Sequence, residues 1–464
     1  MFDGSVGDLG AVLIECDGEF RLIRSETEVL QQTSERAGPF VQDMADGPVR
    51  HALQGLSDLR SLRPISTGTA QIEKVALIDK EGKTRVRYST FRLRPKTGEG
   101  VSLITVEGLR GYEKSRARLC AGIEAGAKCN APADLQSVLA PDFEPHSAKP
   151  AVPLARTDTA FFAACDLING HIPVARATEP GVIEDLDTEY LHDYRVALRK
   201  IRSVLSLFKG VFSEDRTAEL KQVFSDLMAP TGRLRDLDVY LLDKDVYFDM
   251  VPPALHPGLR EMFRRFEAER ASEHAQMAKR LKSRRYLSEM KKLEELFATP
   301  EQLEPGPVAD VLAYDYARRL IWKRYRKVCK IAVGIHADTD DEEVHELRIH
   351  CKKLRYLMEF FAPFFPKRDI KGLIKALKRL QDNLGLFNDY SVQQDSLAAF
   401  LKTQNRVPRA KATEMAQSIG ALIAVLHRRQ GQERARVMAS FASFDSPEVR
   451  DTFRTLFRQE GDKG

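Results

Sequence analysis

The sequence predicts an α+β protein: a strand-rich N-terminal module followed by an all-helical domain that fills most of the chain. Three observations carry that expectation. Residues 11 to 110 alternate apolar and polar side chains in short runs between turn residues, the period of a half-buried strand. From about residue 157 onward, apolar residues recur at helical spacing, interrupted at Pro252-Pro253, Pro300, and Pro305 to Pro307. Between the two lies a stretch from Cys129 to Arg156 in which Pro132, Pro141, Pro145, Pro150 and Pro153 break any periodicity, as a linker does.

Taken in order, AVLIECDGEFRLIR at 11 to 24 reads as a hairpin around Asp17-Gly18. A second hairpin is expected from about Gln71 to Leu93 with its turn at Asp79 to Lys83, and SLITVE at 102 to 107 as a further strand. The divisions that follow are a strand-rich module at 1–128, a linker at 129–156, a helical domain at 157–445 and a C-terminal tail at 446–464.

Composition excludes the extreme classes. The 464 residues, 43% hydrophobic and 30% charged, suit a soluble globular protein with two or three cores. No run is apolar and long enough to cross a bilayer and the N-terminus has no signal pattern, so a cytoplasmic location is expected. Cys16, Cys120, Cys129, Cys165, Cys329 and Cys351 are scattered without a C-x-x-C pair, and are expected as buried thiols. A net charge of +5, from 72 basic against 67 acidic residues, implies no polyanionic partner by itself. Placement of the charges has to decide.

Placement is informative because the helical region contains an internal repeat. LHDYRVALRKIR at 191 to 202 lies over VHELRIHCKKLR at 344 to 355, an offset of 153 (345 minus 192). The same offset, without a gap, puts Phe208 on Phe361, Phe212 on Phe365, Leu227 on Leu380, Gly232 on Gly385, Asp236 on Asp389 and Val239 on Val392. Chance similarity between amphipathic helices would match apolar periodicity but not His, Arg, Gly and Asp together. The helical domain therefore divides into copies at 157–299 and 308–445.

In each copy one helix carries two stripes. Leu191, Tyr194, Leu198, Ile201, Leu205 and Phe208 form the apolar one; His192, Arg195, Arg199 and Arg202 form a basic one roughly 110° around the helix. The second copy repeats both, with His345, Arg348, Lys352 and Arg355 in the basic row. Like charges at this spacing repel. A merely solvated face would intersperse Glu and Asp, and neither stripe contains any, which points to an anionic partner. Internal pairing with carboxylates from other helices, Asp236 and Asp389 foremost, is the competing explanation. Further basic residues crowd nearby: Lys371, Lys375 and Lys378 in one row, Arg318, Arg319, Lys323, Arg324, Arg326, Lys327 and Lys330 on the helix before the second copy's stripe, and Lys279, Arg280, Lys282, Arg284 and Arg285 on another. Metal ligation by His192 or His345 is disfavoured, since neither has a ligand-type residue at i+4 and the surroundings are cationic. No metal or cofactor is expected.

At these residues the sequence resembles the CHAD family, over about residues 155 to 445, through HDYRVALRKIR, HELRIHCKKLR, GRLRDLDV and GLFNDYSV. The resemblance implies two four-helix bundles related by a pseudo-twofold, with the basic stripes lining a groove that binds inorganic polyphosphate. It also implies His192, Arg195, Arg199, Arg202, His345, Arg348, Lys352 and Arg355 as ligand contacts and no catalytic residues; Lys371, Lys375 and Lys378 are added on proximity in sequence. A location at polyphosphate granules would be consistent with it. Residues 59 to 118, with LRSLRP and TVEGLRGYEKSRARL, are similar to the later half of a CYTH barrel, which binds triphosphate and metal. The alternating E-x-E-x-K strand of that family is missing: the early segment offers only Glu15, Asp17 and Glu19, and of the later acidic positions only Glu107 fits. A degenerate CYTH-like module without activity is expected.

Two further functions compete with polyphosphate binding. A triphosphate-hydrolysing enzyme lacks its carboxylates, and a nucleic-acid backbone binder lacks aromatics interleaved with the stripes. Oligomeric state is not legible.

Overall fold

The computed structural model describes residues 1–24, 28–97, 99–126, 135–336, 339–403 and 408–459, and the chain divides into two compact units, Met1–Ser147 and Ala148–Gly464. The first unit is strand-rich. Helix α1 (Ser5–Asp8) precedes a meander of β1 (Val12–Cys16), β2 (Glu19–Ile23) and β3 (Val29–Thr33); α2 (Pro48–Leu53) then leads to a second meander of β4 (Gly68–Ile78), β5 (Thr84–Pro95) and β6 (Val101–Gly108). All pairings are antiparallel. Asp17 and Gly18 have φ of 51° and 76°, the two successive positive values that a two-residue hairpin turn matched to strand twist requires. Phe20, Leu22, Val41, Met44, Val49 and Leu53 bury the core of this first sheet.

Two sequence divisions are corrected here. Helix α3 (Glu113–Gly126) ends the second meander, and residues 127–134, with Cys129 and Pro132, lie outside the described residues. Beyond them the expected linker contains α4 (Leu135–Leu139), whose Leu135 is buried beside Ala140, and the His146 amide donates to the Phe2 carbonyl oxygen at 3.0 Å. Residues 135–147 therefore belong to the N-terminal unit. A proline-rich composition marks absent periodicity, and a short helix with two apolar anchors escapes that signal. Of the cysteines, Cys165 and Cys351 are buried as expected, but Cys16, Cys120 and Cys329 are only partly so.

The second unit contains α5 (Ala160–Glu184), α6 (Thr188–Leu207), α7 (Glu214–Met228), α8 (Gly232–Leu242), α9 (Lys244–Asp249), α10 (His256–Leu281) and α11 (Arg284–Ala298), then α12 (Ala313–Val333), α13 (Asp341–Phe360), α14 (Lys367–Lys402), α15 (Arg409–Phe444) and α16 (Pro447–Phe457). The repeat is visible in the boundaries. Helices α5 and α12, α6 and α13, α7 and α14, and α10 and α15 all start at the sequence offset, and α6 and α13 also end at it, with 20 residues each.

The copies are related by a twofold, because several residues touch their own equivalents. Phe208 stacks on Phe361 with ring centroids 5.0 Å apart and planes 13° apart. The Tyr240 hydroxyl donates to the Gln393 carbonyl oxygen at 3.4 Å. Thr159 bridges Leu312, flanked by reciprocal bonds from Ala160 N to Val311 O and from Ala313 N to Asp158 O, both 2.8 Å. Residue i meeting its counterpart in both directions is the signature of an isologous contact. The core follows suit: Leu237, Tyr240, Phe263 and Phe266 of the first copy pack with Leu397, Phe400, Ile419 and Leu422 of the second.

Supporting helices differ where the sequence does. Pro230 follows α7 and opens a 3-10 turn before α8, since its ring cannot donate an amide and clashes with the preceding turn. Its equivalent is Asn383, whose side-chain amide donates to the Glu433 carbonyl and carboxylate at 2.9 and 2.8 Å, and α14 runs through without a break. Likewise Ser283 caps α11 by accepting from Tyr286 N, whereas its equivalent Arg436 lies inside α15. The expected tail is also corrected: α16 packs against the second copy with Phe453 and Phe457 fully buried, Phe453 facing Phe444 and Tyr325. Residues 460–464 lie outside the described residues.

Candidate functional site

The stripe helices α6 and α13 begin with acidic first turns, Glu189 in one and Asp341, Glu342 and Glu343 in the other, which suits the positive end of the helix dipole and confines the basic row to later turns. Their apolar stripes are buried as the periodicity predicts: Leu191, Tyr194, Leu198, Ile201 and Leu205 in α6, and Leu347, Cys351, Leu354 and Met358 in α13. At Gly181 of α5 an added Cβ would stand 2.1 Å from the Tyr190 ring, so only glycine lets α5 lie this close to α6.

The basic residues are less exposed than a solvated face would be. His192, Arg195, Arg199, Arg202, Arg348, Lys352 and Arg355 are all partly buried, and only His345 is exposed. Arg199 of α6 lies near Arg348 and Lys352 of α13, so the two rows meet at the twofold, where Arg199 and Lys352 are each other's equivalents. Burial, reinforced by Arg348 and Arg199, pushes the Lys352 ammonium down to about 8. Burial likewise pushes the Arg195 and Arg348 guanidiniums below their ordinary value, partly offset by Asp236 and Asp389.

Internal pairing is real but incomplete. Arg348 Nη2 is 3.6 Å from Asp389 Oδ1, and Arg355 Nε is 3.4 Å from Glu359 Oε1. Arg195 donates to the Thr231 hydroxyl, and Arg202 Nη1 lies 3.3 Å from the Met228 sulfur. Asp236 is raised by burial more than its arginine neighbours lower it. Against this, among the described residues, Nε of Arg355 makes only that ion pair with Glu359, and Nε of Arg199 and Arg348 are buried without a hydrogen-bond partner. So are both amide atoms of Gln381, the equivalent of Met228 and hence the residue facing Arg355 under the repeat. Buried polar groups are nearly always satisfied, so these orphans are groups that a ligand could satisfy.

The opposite wall leaves room for one. Gln381, Gly385 and Asp389 follow each other at one-turn spacing on α14, as Met228, Gly232 and Asp236 do in the first copy. A Cβ on either glycine would meet nothing within 4 Å. Lys371, Lys375 and Lys378 are exposed on α14. Lys371 precedes Asp389 by 18 residues and Lys378 by 11, about five and three helical turns, so both share its azimuth while Lys375 stands about 40° away. The first copy has Ala218, Gln222 and Ser225 at these positions.

Sequence reasoning missed Gln381, Asn388 and Arg235. His345 Nδ1 donates to Asn388 Oδ1 at 2.7 Å, which orients the ring and leaves Nε2 as its second polar atom. The first copy has Arg235 in place of Asn388, held 3.4 Å from the Thr188 carbonyl oxygen and 3.9 Å from Glu189 Oε1. The signal was present in GRLRDLDV over GLFNDYSV, where an arginine aligned with a buried amide. In the N-terminal unit two of the early carboxylates are engaged by arginines, Glu15 with Arg36 at 3.3 Å and Glu19 with Arg21 at 3.1 Å, while Asp17 is exposed in the hairpin turn and Glu107 on β6. Among the described residues, no three His, Cys, Asp or Glu side chains come together as a metal site, and no helix is long and apolar enough to cross a membrane.

Comparison with known proteins agrees with this architecture. No curated protein matches the chain. Among solved structures, the crystal structure of the CHAD domain from the plant Ricinus communis superposes with a TM-score of 0.53 at 24% identity, covering 64% of this chain and 96% of that one. PptA from Streptomyces chartreusis is similar at a TM-score of 0.41 and 16% identity, covering 64% and 99%. The CHAD domain family matches residues 166–398, both stripe helices included, and that is half of the chain. The chain belongs to the CHAD family.

Proposed function

We propose that this protein binds inorganic polyphosphate in the groove between α6 and α13, without turning it over. The observation that carries the reading is the convergence of both basic rows at the twofold with buried guanidinium donors left unsatisfied. A partly buried cluster of like charges destabilises the free protein, and a flexible chain of phosphates would neutralise it with charge-assisted hydrogen bonds. Family membership supports the same ligand class. The rows carry no stacking aromatics, which favours a ligand without bases over RNA. For the N-terminal unit we propose no metal-dependent triphosphatase activity, since two of its three early carboxylates, Glu15 and Glu19, are tied to arginines.

The test is replacement of the axial pair, Arg199→Gln with Lys352→Gln. Removing two cations that repel each other should leave the melting temperature unchanged or raised, while polyphosphate affinity falls on the order of tenfold or more and the salt dependence shrinks by about two units. A structural role would move stability down instead. Wild-type affinity in the double variant, or an RNA competitor that displaces polyphosphate at equal phosphate concentration, would sink the proposal.

A further inference from the structure

The twofold holds for the backbone but fails in charge at the two ends of the groove. Under the repeat His171 corresponds to Arg324, Lys200 to Lys353, and Glu359 to Ser206. At one end the set is closed. Lys200 Nζ donates to Glu359 and lies over the Tyr356 and Phe360 rings at 5.2 and 5.3 Å. The other oxygen of Glu359 faces Arg355, the last residue of the second stripe. His171 is buried against the Leu167 carbonyl oxygen at 2.7 Å, and burial pushes its imidazole down, toward the neutral form. Glu359 thus ties together Arg355 and Lys200, with Lys149 the further cation near Lys200.

The other end has the cations without the carboxylate. Ser206 is exposed where Glu359 would stand. Lys353 has no ion pair among the described residues, and burial, with Arg324 and Lys209 beside it, pushes its ammonium down. Arg324 Nη1 donates to His350 Nδ1 at 2.7 Å, a bond that needs a neutral imidazole; burial and Arg324 hold His350 at about 4. Glu346 is the acidic group near this cluster, and Lys327 engages it at 3.2 Å. Among the described residues, Arg324, Lys327, Lys353 and Lys209 therefore stand against one carboxylate, Glu346. Arg202, the equivalent of Arg355, ends the first stripe one turn before Ser206.

Resting on the reading that the groove takes a phosphate polymer, we infer that its path continues past one end only, from Arg202 across Ser206 onto Lys353, Lys209 and Arg324, while Glu359 closes the opposite end. A twofold groove would accept a polymer in either direction with equal contacts. This one offers extra contacts at a single exit, so long chains gain affinity that short ones do not, and they overhang at a defined side.

The experiment compares long-chain polyphosphate with tripolyphosphate by calorimetry, using wild type, Lys209→Gln with Lys353→Gln, and Ser206→Glu. Loss of two contacts should weaken long-chain binding about tenfold and lower its salt slope by about two, with tripolyphosphate affinity changed less than about twofold. Ser206→Glu, which copies the closed end, should act in the same direction without removing a cation. Long-chain affinity and slope at wild-type values in both variants overturn the inference and leave the groove itself standing. Equal losses for both ligands also overturn it, because the cluster would then belong to the central site. Wild type that binds neither ligand overturns the function proposed above, and this extension with it.

Discussion

The two copies of the repeat share one helix and differ in what braces it. Helices α6 and α13 have the same length, the same start and end at the repeat offset, and the same basic row. Around them the first copy uses separate shorter helices broken at Pro230 and Ser283, where the second uses α14 and α15, 36 residues each, without interruption. The difference teaches that the geometry held constant is that of the stripe and of the helix starts that position it. Bracing can be continuous or interrupted provided the apolar contacts to the axis survive, as the shared core of Tyr240, Phe266, Leu397 and Phe400 shows.

The largest expected effect is at the axis. Phe208→Ala and Phe361→Ala each remove one ring of the central stack, and both are almost wholly buried, so each should cost about 3 to 5 kcal/mol in urea unfolding. Equivalence under the twofold makes the two costs similar. A difference approaching the whole range would break the comparison, because one copy would then carry the core alone.

Next comes the break itself. Asn383→Pro transplants the first copy's interruption into α14, removing a helical hydrogen bond and the Asn383 bonds to Glu433, at a cost of about 3 kcal/mol or more. The reverse change, Pro230→Ala, only loosens the unfolded chain and should cost about 0.4 to 1 kcal/mol. Equal effects in denaturant titrations would mean that the continuity of α14 contributes nothing.

The smallest effect is a pH dependence that separates the copies. Burial and its cationic neighbours push Lys352 down to about 8 in the free protein, whereas the equivalent position holds an arginine, Arg199. Raising pH from 7 to 9 neutralises Lys352, so polyphosphate affinity should fall across that window, with proton uptake on binding near pH 8. Because the folded value lies below the ordinary lysine value, the free protein should become more stable as pH rises through the same window. Lys352→Arg makes the copies alike and should flatten the affinity profile. An affinity that is level from pH 7 to 9 in wild type would remove Lys352 from the ligand's reach.

Much of this was legible in the residues. The offset read from His192 and His345 relates the starts of α5, α6, α7 and α10 to those of α12, α13, α14 and α15, and the azimuth of Arg195 and Arg348 separated them from the core. What helical periodicity cannot report is cover from neighbouring helices. It therefore missed that the basic row is half-buried and that Gln381 stands unsatisfied beside the row, although it did name Asp389, which reaches Arg348, as a candidate partner of the stripe. It also read residues 446–464 as a tail, because a short helix with two buried phenylalanines looks the same in sequence whether or not a groove awaits it.

The reciprocal bonds between Ala160, Val311, Ala313 and Asp158 bear on how the chain is made. They join the start of the first copy to the connector ahead of the second, with all of the first copy's helices lying between. A nascent chain that has released only residues up to α11 has neither the partner strand segment for Thr159 nor Leu397 and Phe400 to cover Tyr240 and Phe266. The first half therefore leaves the ribosome with an apolar face uncovered and waits for the second, and the helical unit closes late, as a single long-range event. Truncations within it should yield aggregating chains, so the helical unit is the smallest piece worth expressing.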